Sequence, residues 1–264
     1  MKGIICYYSG SGNTRLAVEH LKKRVSNAEF DLFNIVKNVA PDFSAYRVAG
    51  FAAFADFGAP SQIFYDFFGK LQNVNRMPAF VLNTYGFMSL RTLSELGRLA
   101  VAKGFDVISG YSLHTPENYP PMRKSGKGFD HAPDEKEIKG FHDYIDALNF
   151  QMKVIESGKI PEKMKLKQGI LGSIIPLMPR KQAKKDFGIQ DVRKDLCTEC
   201  GLCKKVCPYE AVTLSPKPLF DHEKCWGCWA CYNHCPQKAI CTPKFNGEFQ
   251  YAKPVQELAD KLGR

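Results

Sequence analysis

Residues 197–208 read CTECGLCKKVCP, and residues 225–236 repeat the same cysteine spacing as CWGCWACYNHCP. In each stretch two residues separate the first three cysteines, three more precede the fourth, and a proline follows it. The only cysteines outside these two motifs are Cys6 and Cys241. Two complete copies of one spacing indicate a small C-terminal domain with an internal repeat.

The spacing is typical of cysteines that hold two [4Fe–4S] clusters. Three closely spaced thiolates can bind three irons of one cluster, while the fourth points towards the other cluster. Zinc is the alternative, but four-cysteine zinc sites generally pair two short knuckles across a long gap. We therefore expect two quartets that exchange their fourth members. The first quartet is Cys197, Cys200, Cys203 and Cys235; the second quartet is Cys225, Cys228, Cys231 and Cys207.

Residues 192–243 resemble the bacterial 2[4Fe–4S] ferredoxins, both in the two motifs and in the Cys-Pro-x-x-Ala segment that ends each. The resemblance implies a small α+β domain with a pseudo-twofold pair of β-α-β units. Gly201 and Gly227 are expected to let the backbone approach inorganic sulfide. The aromatic residues of the second motif are expected to shield a cluster from water; these are Trp226, Trp229 and Tyr232. Cys6 and Cys241 are predicted to be plain buried thiols.

The first 150 residues alternate short apolar runs with helical patterns, which indicates an α/β fold with a parallel sheet covered on both faces. The predicted strands are Gly3–Tyr8, Glu29–Asn34, Tyr46–Phe54, Ala79–Asn83 and Asp106–Leu113. The predicted helices are Asn13–Val25, Pro60–Leu71, Leu90–Lys103 and Pro133–Ser157, with both prolines in a first turn. Five such strands predict the doubly wound, flavodoxin-like sheet.

A loop of small residues joins the first predicted strand to the first predicted helix. Its hydroxyls, glycines and helix N-terminus suit a phosphate group, although an unliganded tight turn is the alternative. Arg15 stands where the dinucleotide fingerprint would have its last glycine. The loop resembles the flavodoxin phosphate loop, which implies bound FMN. The implied phosphate contacts are Ser9, Gly10, Ser11, Gly12, Asn13 and Thr14.

The same resemblance implies that the flavin ring lies against the loops after the third and fourth strands. Phe57 and Tyr85 are the stacking candidates, and Gly58 or Gly86 would lie near the flavin N5 edge, with Thr84 in the same loop. Residues 116–119 resemble the Pro-x-Asn-Tyr turn of fused flavodoxin–ferredoxin proteins. This turn adds Asn118 and Tyr119 as expected flavin contacts.

The predicted domains are 1–157 (FMN-binding), 158–191 (linker), 192–245 (two clusters) and 246–264 (C-terminal extension). This order resembles fused flavodoxin–ferredoxin proteins of anaerobic bacteria and archaea. The linker carries eight basic residues between positions 159 and 185 against Glu162 alone. An apolar run at 170–178 is too short to cross a membrane, which leaves a weak membrane-surface contact as an alternative to packing within the protein.

The resemblance implies an electron carrier that passes single electrons between the clusters and FMN. The formal net charge of +10 favours an acidic redox partner protein, and no nucleic-acid-binding motif accompanies it. The start of the sequence has no secretory pattern, so a cytoplasmic protein is expected. The alternative is an FMN- and iron–sulfur-dependent reductase of a quinone, nitro compound or corrinoid. No acid–base constellation in the sequence supports that alternative.

Overall fold

The computed structural model describes residues 1–164 and 180–263, which fall into two compact units. The first unit comprises residues 1–116, 129–164 and 255–263, and the second comprises 117–128 and 180–254. The apolar run at 170–178, and with it the expected membrane-surface contact, lies outside the described residues. No helix among the residues described is long and apolar enough to cross a membrane.

The first unit is built on a parallel sheet. Its strands are β1 (Lys2–Tyr7), β2 (Glu29–Asn34), β3 (Val48–Asp56), β5 (Met77–Tyr85) and β6 (Phe105–His114), in the spatial order β2-β1-β3-β5-β6. A two-residue strand, β4 (Ala59–Pro60), pairs antiparallel with the end of β3. Without β4 this is the doubly wound flavodoxin-like order, so the predicted fold class is confirmed.

The helices around this sheet include α1 (Asn13–Arg24), α2 (Gln62–Lys70), α3 (Thr92–Ala102) and α5 (Glu135–Glu156). A 3₁₀ turn at Phe43–Ala45 precedes β3. The buried strands β1, β3 and β5 are rich in apolar residues because both faces of the sheet are covered. This arrangement places the ends of β1, β3 and β5, and the loops that follow them, at one edge of the sheet.

The prediction that two prolines occupy first helical turns is wrong. Pro60 lies in β4, and α2 begins at Gln62 after Ser61. Pro133 follows a cis peptide bond, and α5 begins at Glu135. Asp134 caps α5 in a capping box with Glu137, a stronger helix-start signal than proline.

The second unit contains the two cysteine motifs. Its elements are α4 (Pro120–Lys124), α6 (Arg180–Phe187), β7 (Asp191–Val192), α7 (Leu202–Val206), β8 (Val212–Ser215), β9 (Lys217–Phe220), α8 (Ala230–His234) and β10 (Ile240–Cys241). β7 pairs antiparallel with β10, and β8 with β9. Each motif thus has one short helix and contributes to one two-stranded sheet, as expected for an α+β unit with an internal repeat.

The units are not the continuous segments that the sequence indicated. Residues 117–128 group with the second unit, and so does the described end of the predicted linker, which forms α6 and β7. The C-terminal helix α9 (Gln256–Gly263) belongs to the first unit, where Leu258 and Leu262 are buried. A division based on the cysteine pattern could not foresee these exchanges, because none of the exchanged segments contains a cysteine.

His20 of α1 anchors α9. Its Nδ1 lies 2.7 Å from the Leu262 carbonyl oxygen and its Nε2 lies 3.0 Å from Nε2 of His142 on α5. Burial lowers the pKa of His20, the Leu262 hydrogen bond raises it, and His142, Arg24 and Lys23 lower it further. The His142 pKa is lowered as well, first by burial. The His20 ring is therefore held in its neutral form.

The depressed pKa of His20 predicts acid-sensitive docking of α9. His20 binds a proton more readily when α9 is undocked than when it is docked. The contribution of neutral His20 to docking is therefore fully present above about pH 6.5, and it is lost as the pH falls through the lowered pKa of docked His20. Hydrogen exchange of the 256–263 amides, corrected for intrinsic rates, should therefore speed up between pH 7 and 5. His20→Gln should remove this acceleration, and His222→Gln, an exposed histidine of the second unit, should leave it intact.

Gly104 ends α3 with a φ of +88°, a conformation that favours glycine at a helix C-terminus. A β-carbon there would lie 2.0 Å from the carbonyl oxygen of Val74. Gly69, inside α2, has open space around its α-carbon.

We predict opposite effects from alanine at these two glycines. Gly104→Ala should destabilise the protein by about 2 kcal/mol or more, because it combines a clash with an unfavourable φ. Gly69→Ala should stabilise it by about 0.5–1 kcal/mol, because alanine is the better helix former. Urea unfolding followed by far-UV circular dichroism measures both, and equal effects would contradict this account of Gly104.

Candidate cofactor sites

The first quartet surrounds one cavity. Cys197, Cys200 and Cys203 line it from the first motif, and Cys235 lines it from the second. Cys200 is exposed, whereas the other three are half-buried. The predicted exchange of the fourth cysteine is therefore visible here as a shared cavity.

The second quartet is more deeply buried. Cys207, Cys225 and Cys231 are all buried, and Cys228 is half-buried. Burial raises the pKa of the Cys231 thiol well above its usual value, and the neighbouring Cys228, Cys225, Cys207 and Cys203 raise it further. Cys207 of the first motif packs with Cys225 of the second in one buried cluster.

The fourth cysteine of each motif accepts the same kind of backbone hydrogen bond. The backbone N–H of Ala211 donates to Cys207 Sγ at 3.3 Å, and that of Ala239 donates to Cys235 Sγ at 3.2 Å. Each alanine lies four residues after its cysteine, which accounts for the repeated Cys-Pro-x-x-Ala sequence. Such N–H donors fit thiolate ligands of an iron–sulfur cluster.

Both cysteine loops have left-handed residues at equivalent positions. In the first motif these are Glu199 (φ 59°) and Gly201 (φ 72°); in the second they are Gly227 (φ 68°) and Trp229 (φ 61°). The sequence singled out the two glycines, but the fold requires the same conformation of Glu199 and Trp229. A comparison of the two motifs position by position aligns Glu199 with Gly227 and Trp229 with Gly201.

The cysteine side chains fit clusters better than a single metal ion. Among the described residues, no three histidine, cysteine or acidic side chains converge closely enough to share one ion. Two all-thiolate quartets with N–H donors to sulfur match the donor chemistry of [4Fe–4S] clusters.

Aromatic side chains surround Trp229, which is buried between the second and third cysteines of its motif. Its ring centroid lies 4.9 Å from that of Tyr232 and 5.2 Å from that of Phe245. Trp226, also expected to shield a cluster, stacks on Tyr209 at 5.8 Å. Cys241 lies outside the quartets and is half-buried rather than fully buried, while Cys6 is buried as predicted.

The predicted phosphate loop joins β1 to α1 in the first unit. Gly12 precedes α1 with a φ of 101°, and its N–H donates to Ser9 Oγ at 3.1 Å. Asn13 Nδ2 donates to the carbonyl oxygen of Pro116 at 2.8 Å, and Thr14 Oγ1 lies 2.8 Å from Thr84 Oγ1. The first turn of α1 presents backbone N–H groups that have no acceptor within the helix. The loop is thus tied to β5 and to the segment after β6.

These contacts change the expected role of Thr84. Its side chain is buried and hydrogen-bonds to Thr14, so Thr84 positions the phosphate loop through Thr14. The neighbouring Asn83 accepts hydrogen bonds at Oδ1 from Ser112 (2.6 Å) and Ser89 (3.3 Å). This pair of bonds fixes the loop after β5, which contains Gly86.

Phe57 and Gly58 form the two-residue turn between β3 and β4. Both have positive φ, 54° and 82°, as a type I′ hairpin turn requires. A phenylalanine in this conformation is uncommon. Phe57 follows β3 at the edge of the sheet, where the sequence predicts a residue that stacks on the flavin ring.

Tyr85 belongs to a series of aromatic rings at the end of β5 and β6. Its ring stacks on His114 at 5.1 Å, and His114 lies 5.2 Å from Phe129, which in turn lies 6.4 Å from Phe87. His114 Nδ1 is also 2.9 Å from Glu137 Oε1. The sequence patterns gave no signal for Phe129, which lies 44 residues beyond Tyr85 in the chain.

Asn118 and Tyr119 lie in the second unit. The Asn118 carbonyl oxygen accepts a hydrogen bond from Asn233 Nδ2 at 2.9 Å. The Tyr119 ring meets Trp229 edge-on at 5.8 Å. The structure therefore groups these two residues with the second cysteine motif, within the second unit.

The second unit is similar in sequence to known iron–sulfur proteins. Residues 196–240 match the family model described as a 4Fe-4S dicluster domain. A ferredoxin of Pyrobaculum islandicum is 39% identical over 51 residues, which are 19% of this chain and 48% of that protein. The chain thus spans about half the length of this curated relative. Together with the two cysteine quartets, the family match makes [4Fe–4S] clusters the cofactors of this unit.

Solved structures similar to the chain include several flavodoxins. Flavodoxin 2 from Bacillus cereus has 17% sequence identity and a TM-score of 0.46, covering 58% of this chain and 99% of that one. A flavodoxin from the domain Archaea has 13% identity and a TM-score of 0.42 with the same coverage. The strand order of the first unit is flavodoxin-like in its own right.

Proposed function

We propose that this protein is an electron carrier that passes single electrons between two [4Fe–4S] clusters and FMN, on behalf of an acidic redox partner protein. The observation that carries the proposal is a cavity lined by cysteines of both motifs, in a chain that also has a flavodoxin-like unit with a phosphate-type loop. The clusters supply one-electron chemistry when bound, and FMN supplies one- or two-electron chemistry.

In this proposal each quartet binds one cluster as thiolates. Backbone N–H groups of Ala211 and Ala239 donate to the fourth sulfur of each motif and stabilise its negative charge. Trp229, Tyr232 and Phe245 exclude water beside the second motif. Exclusion of water lowers the local dielectric constant, so hydrogen bonds to sulfur have a larger effect on the potential.

The phosphate loop is the proposed FMN anchor. Backbone N–H groups at the start of α1 and the hydroxyls of Ser9, Ser11 and Thr14 would hold the phosphate. Thr84 and Pro116 keep Thr14 and Asn13 in place. Phe57 and Tyr85, with Gly58 and Gly86 beside them, are the proposed neighbours of the flavin ring.

The proposed partner is identified by its charge alone. The chain carries 37 lysine and arginine residues against 27 aspartate and glutamate residues. A basic surface accelerates and orients docking of an acidic protein. Association that weakens steeply with added salt would support this choice, because exposed charges are screened.

The exchange of fourth cysteines can be tested by removing Cys235. Cys235→Ala should lower the iron content of anaerobically prepared protein from about eight to about four atoms per chain. Cys197, Cys200 and Cys203 should then react with iodoacetamide, whereas Cys225, Cys228 and Cys231 stay protected. Cys241→Ala is the matched control and should retain both clusters. Loss of protection at Cys225, Cys228 and Cys231 instead would contradict the exchanged quartets.

The phosphate loop is tested by changing Asn13. Asn13→Asp removes the donor to Pro116 and places a carboxylate beside the proposed phosphate, so the FMN dissociation constant should rise at least about tenfold. Riboflavin, which has no phosphate, should lose much less affinity. Fluorescence titration of flavin-free protein measures both constants.

Asn73→Asp makes the same charge change in an exposed loop between α2 and β5, and should affect neither ligand. If the unmodified protein binds no FMN, or Asn13→Asp weakens FMN and riboflavin equally, the proposed anchor is wrong.

A further inference from the structure

Gln190 places a buried amide against a cluster cysteine. The residue is 1% exposed and lies just before β7. In the thiol form Cys225 Sγ donates to Gln190 Oε1 at 3.3 Å. The other end of the amide, Nε2, is buried and has no hydrogen-bond partner among the described residues.

The backbone on both sides holds Gln190 in place. Gly188 ends α6 with a φ of +85°, and its N–H donates to the Lys184 carbonyl oxygen at 2.9 Å. A β-carbon on Gly188 would lie 2.8 Å from Pro243 Cδ, so this turn is packed closely against the chain after β10. On the other side, β7 is paired with β10. The amide therefore has little freedom to leave Cys225.

The hydrogen bond must reverse when Cys225 binds iron. A thiolate has no proton to donate and can only accept. Rotation of the amide by 180° about its last side-chain bond exchanges Oε1 and Nε2, so an N–H group then faces the sulfur. Nε2 gains an acceptor in this arrangement, and Oε1 takes the buried position that Nε2 held.

The two quartets differ in this respect. Cys197 is the counterpart of Cys225 in the first motif, and it is half-buried. Within the described part of the chain, no side-chain amide lies within hydrogen-bond distance of Cys197 Sγ. Gln190 also lies outside residues 196–240, the segment that matches the dicluster family model.

We propose that Gln190 is a positioning residue that raises the reduction potential of the second cluster through an N–H···S hydrogen bond to Cys225. Reduction adds negative charge to a cluster and its sulfurs, and a donor to sulfur stabilises the reduced form more than the oxidised form. The second cluster is then easier to reduce than it would be without the Gln190 donor. This inference rests on the cluster assignment in the proposed function.

The test is an anaerobic titration with dithionite as the electron source, followed by EPR, on the full chain with both clusters. Each step adds one electron to one cluster. Gln190→Leu should lower the reduction equilibrium constant of the second cluster about tenfold, which is about 59 mV for one electron. The first cluster should be unaffected. Gln182→Leu, an exposed glutamine in α6, is the matched control and should shift neither potential.

Two further measurements keep the result interpretable if Gln190→Leu does not fold. Gln190→Glu keeps the shape but offers no N–H donor when ionised, and it should lower the same potential at least as far. In D₂O, the unmodified protein should show an exchangeable deuteron coupled to the reduced second cluster that Gln190→Glu lacks, in addition to the one from the Ala211 N–H donor to Cys207. Unchanged potentials, equal shifts of both clusters, or no such deuteron would overturn the role of Gln190. An unmodified protein that assembles no clusters would instead overturn the proposed function.

Discussion

Cys235 of the second motif lines one cavity with Cys197, Cys200 and Cys203 of the first motif, and this shared cavity is the constraint on which the second unit depends. Neither motif forms the cavity alone, so each must fold with the other before the cavity exists. The same requirement explains why the Ala211 and Ala239 N–H groups occupy equivalent places, and why β7 at the start of the unit pairs with β10 at its end. In a unit with few apolar core residues, these cross-connections replace much of the stabilisation that a large core would provide.

The repeat is symmetrical in backbone but not in environment. The first quartet includes the exposed Cys200, whereas three of the four cysteines in the second are buried. Trp229, Tyr232 and Phe245 pack beside the second motif, and a glutamine amide contacts its Cys225. Solvent exposure and hydrogen bonds to sulfur are the two main means by which a protein adjusts cluster potential, and here both differ between the sites.

Sequence reasoning succeeded where one local pattern determines one local structure. The cysteine spacing, the alternation of strands and helices, and the loop before Asn13 each depend on neighbouring residues, and each corresponds to an element of the structure. It failed where a long-range partner decides the outcome. Pro60 pairs with β3 instead of starting a helix, and Asn118 packs with residues more than a hundred positions away. Gln190 lacks any motif, and only the fold brings it to Cys225.

The chain passes between the two units four times, because residues 117–128 belong to the second unit and α9 belongs to the first. Cleavage of the backbone anywhere in 165–179 would therefore leave the two units covalently joined where the chain passes between them elsewhere. Neither unit corresponds to a gene fragment that could be excised or exchanged as one piece. The two units can therefore be inherited only together. A truncation at the predicted linker would remove α9 from the first unit and would separate residues 117–128 from the rest of the second unit.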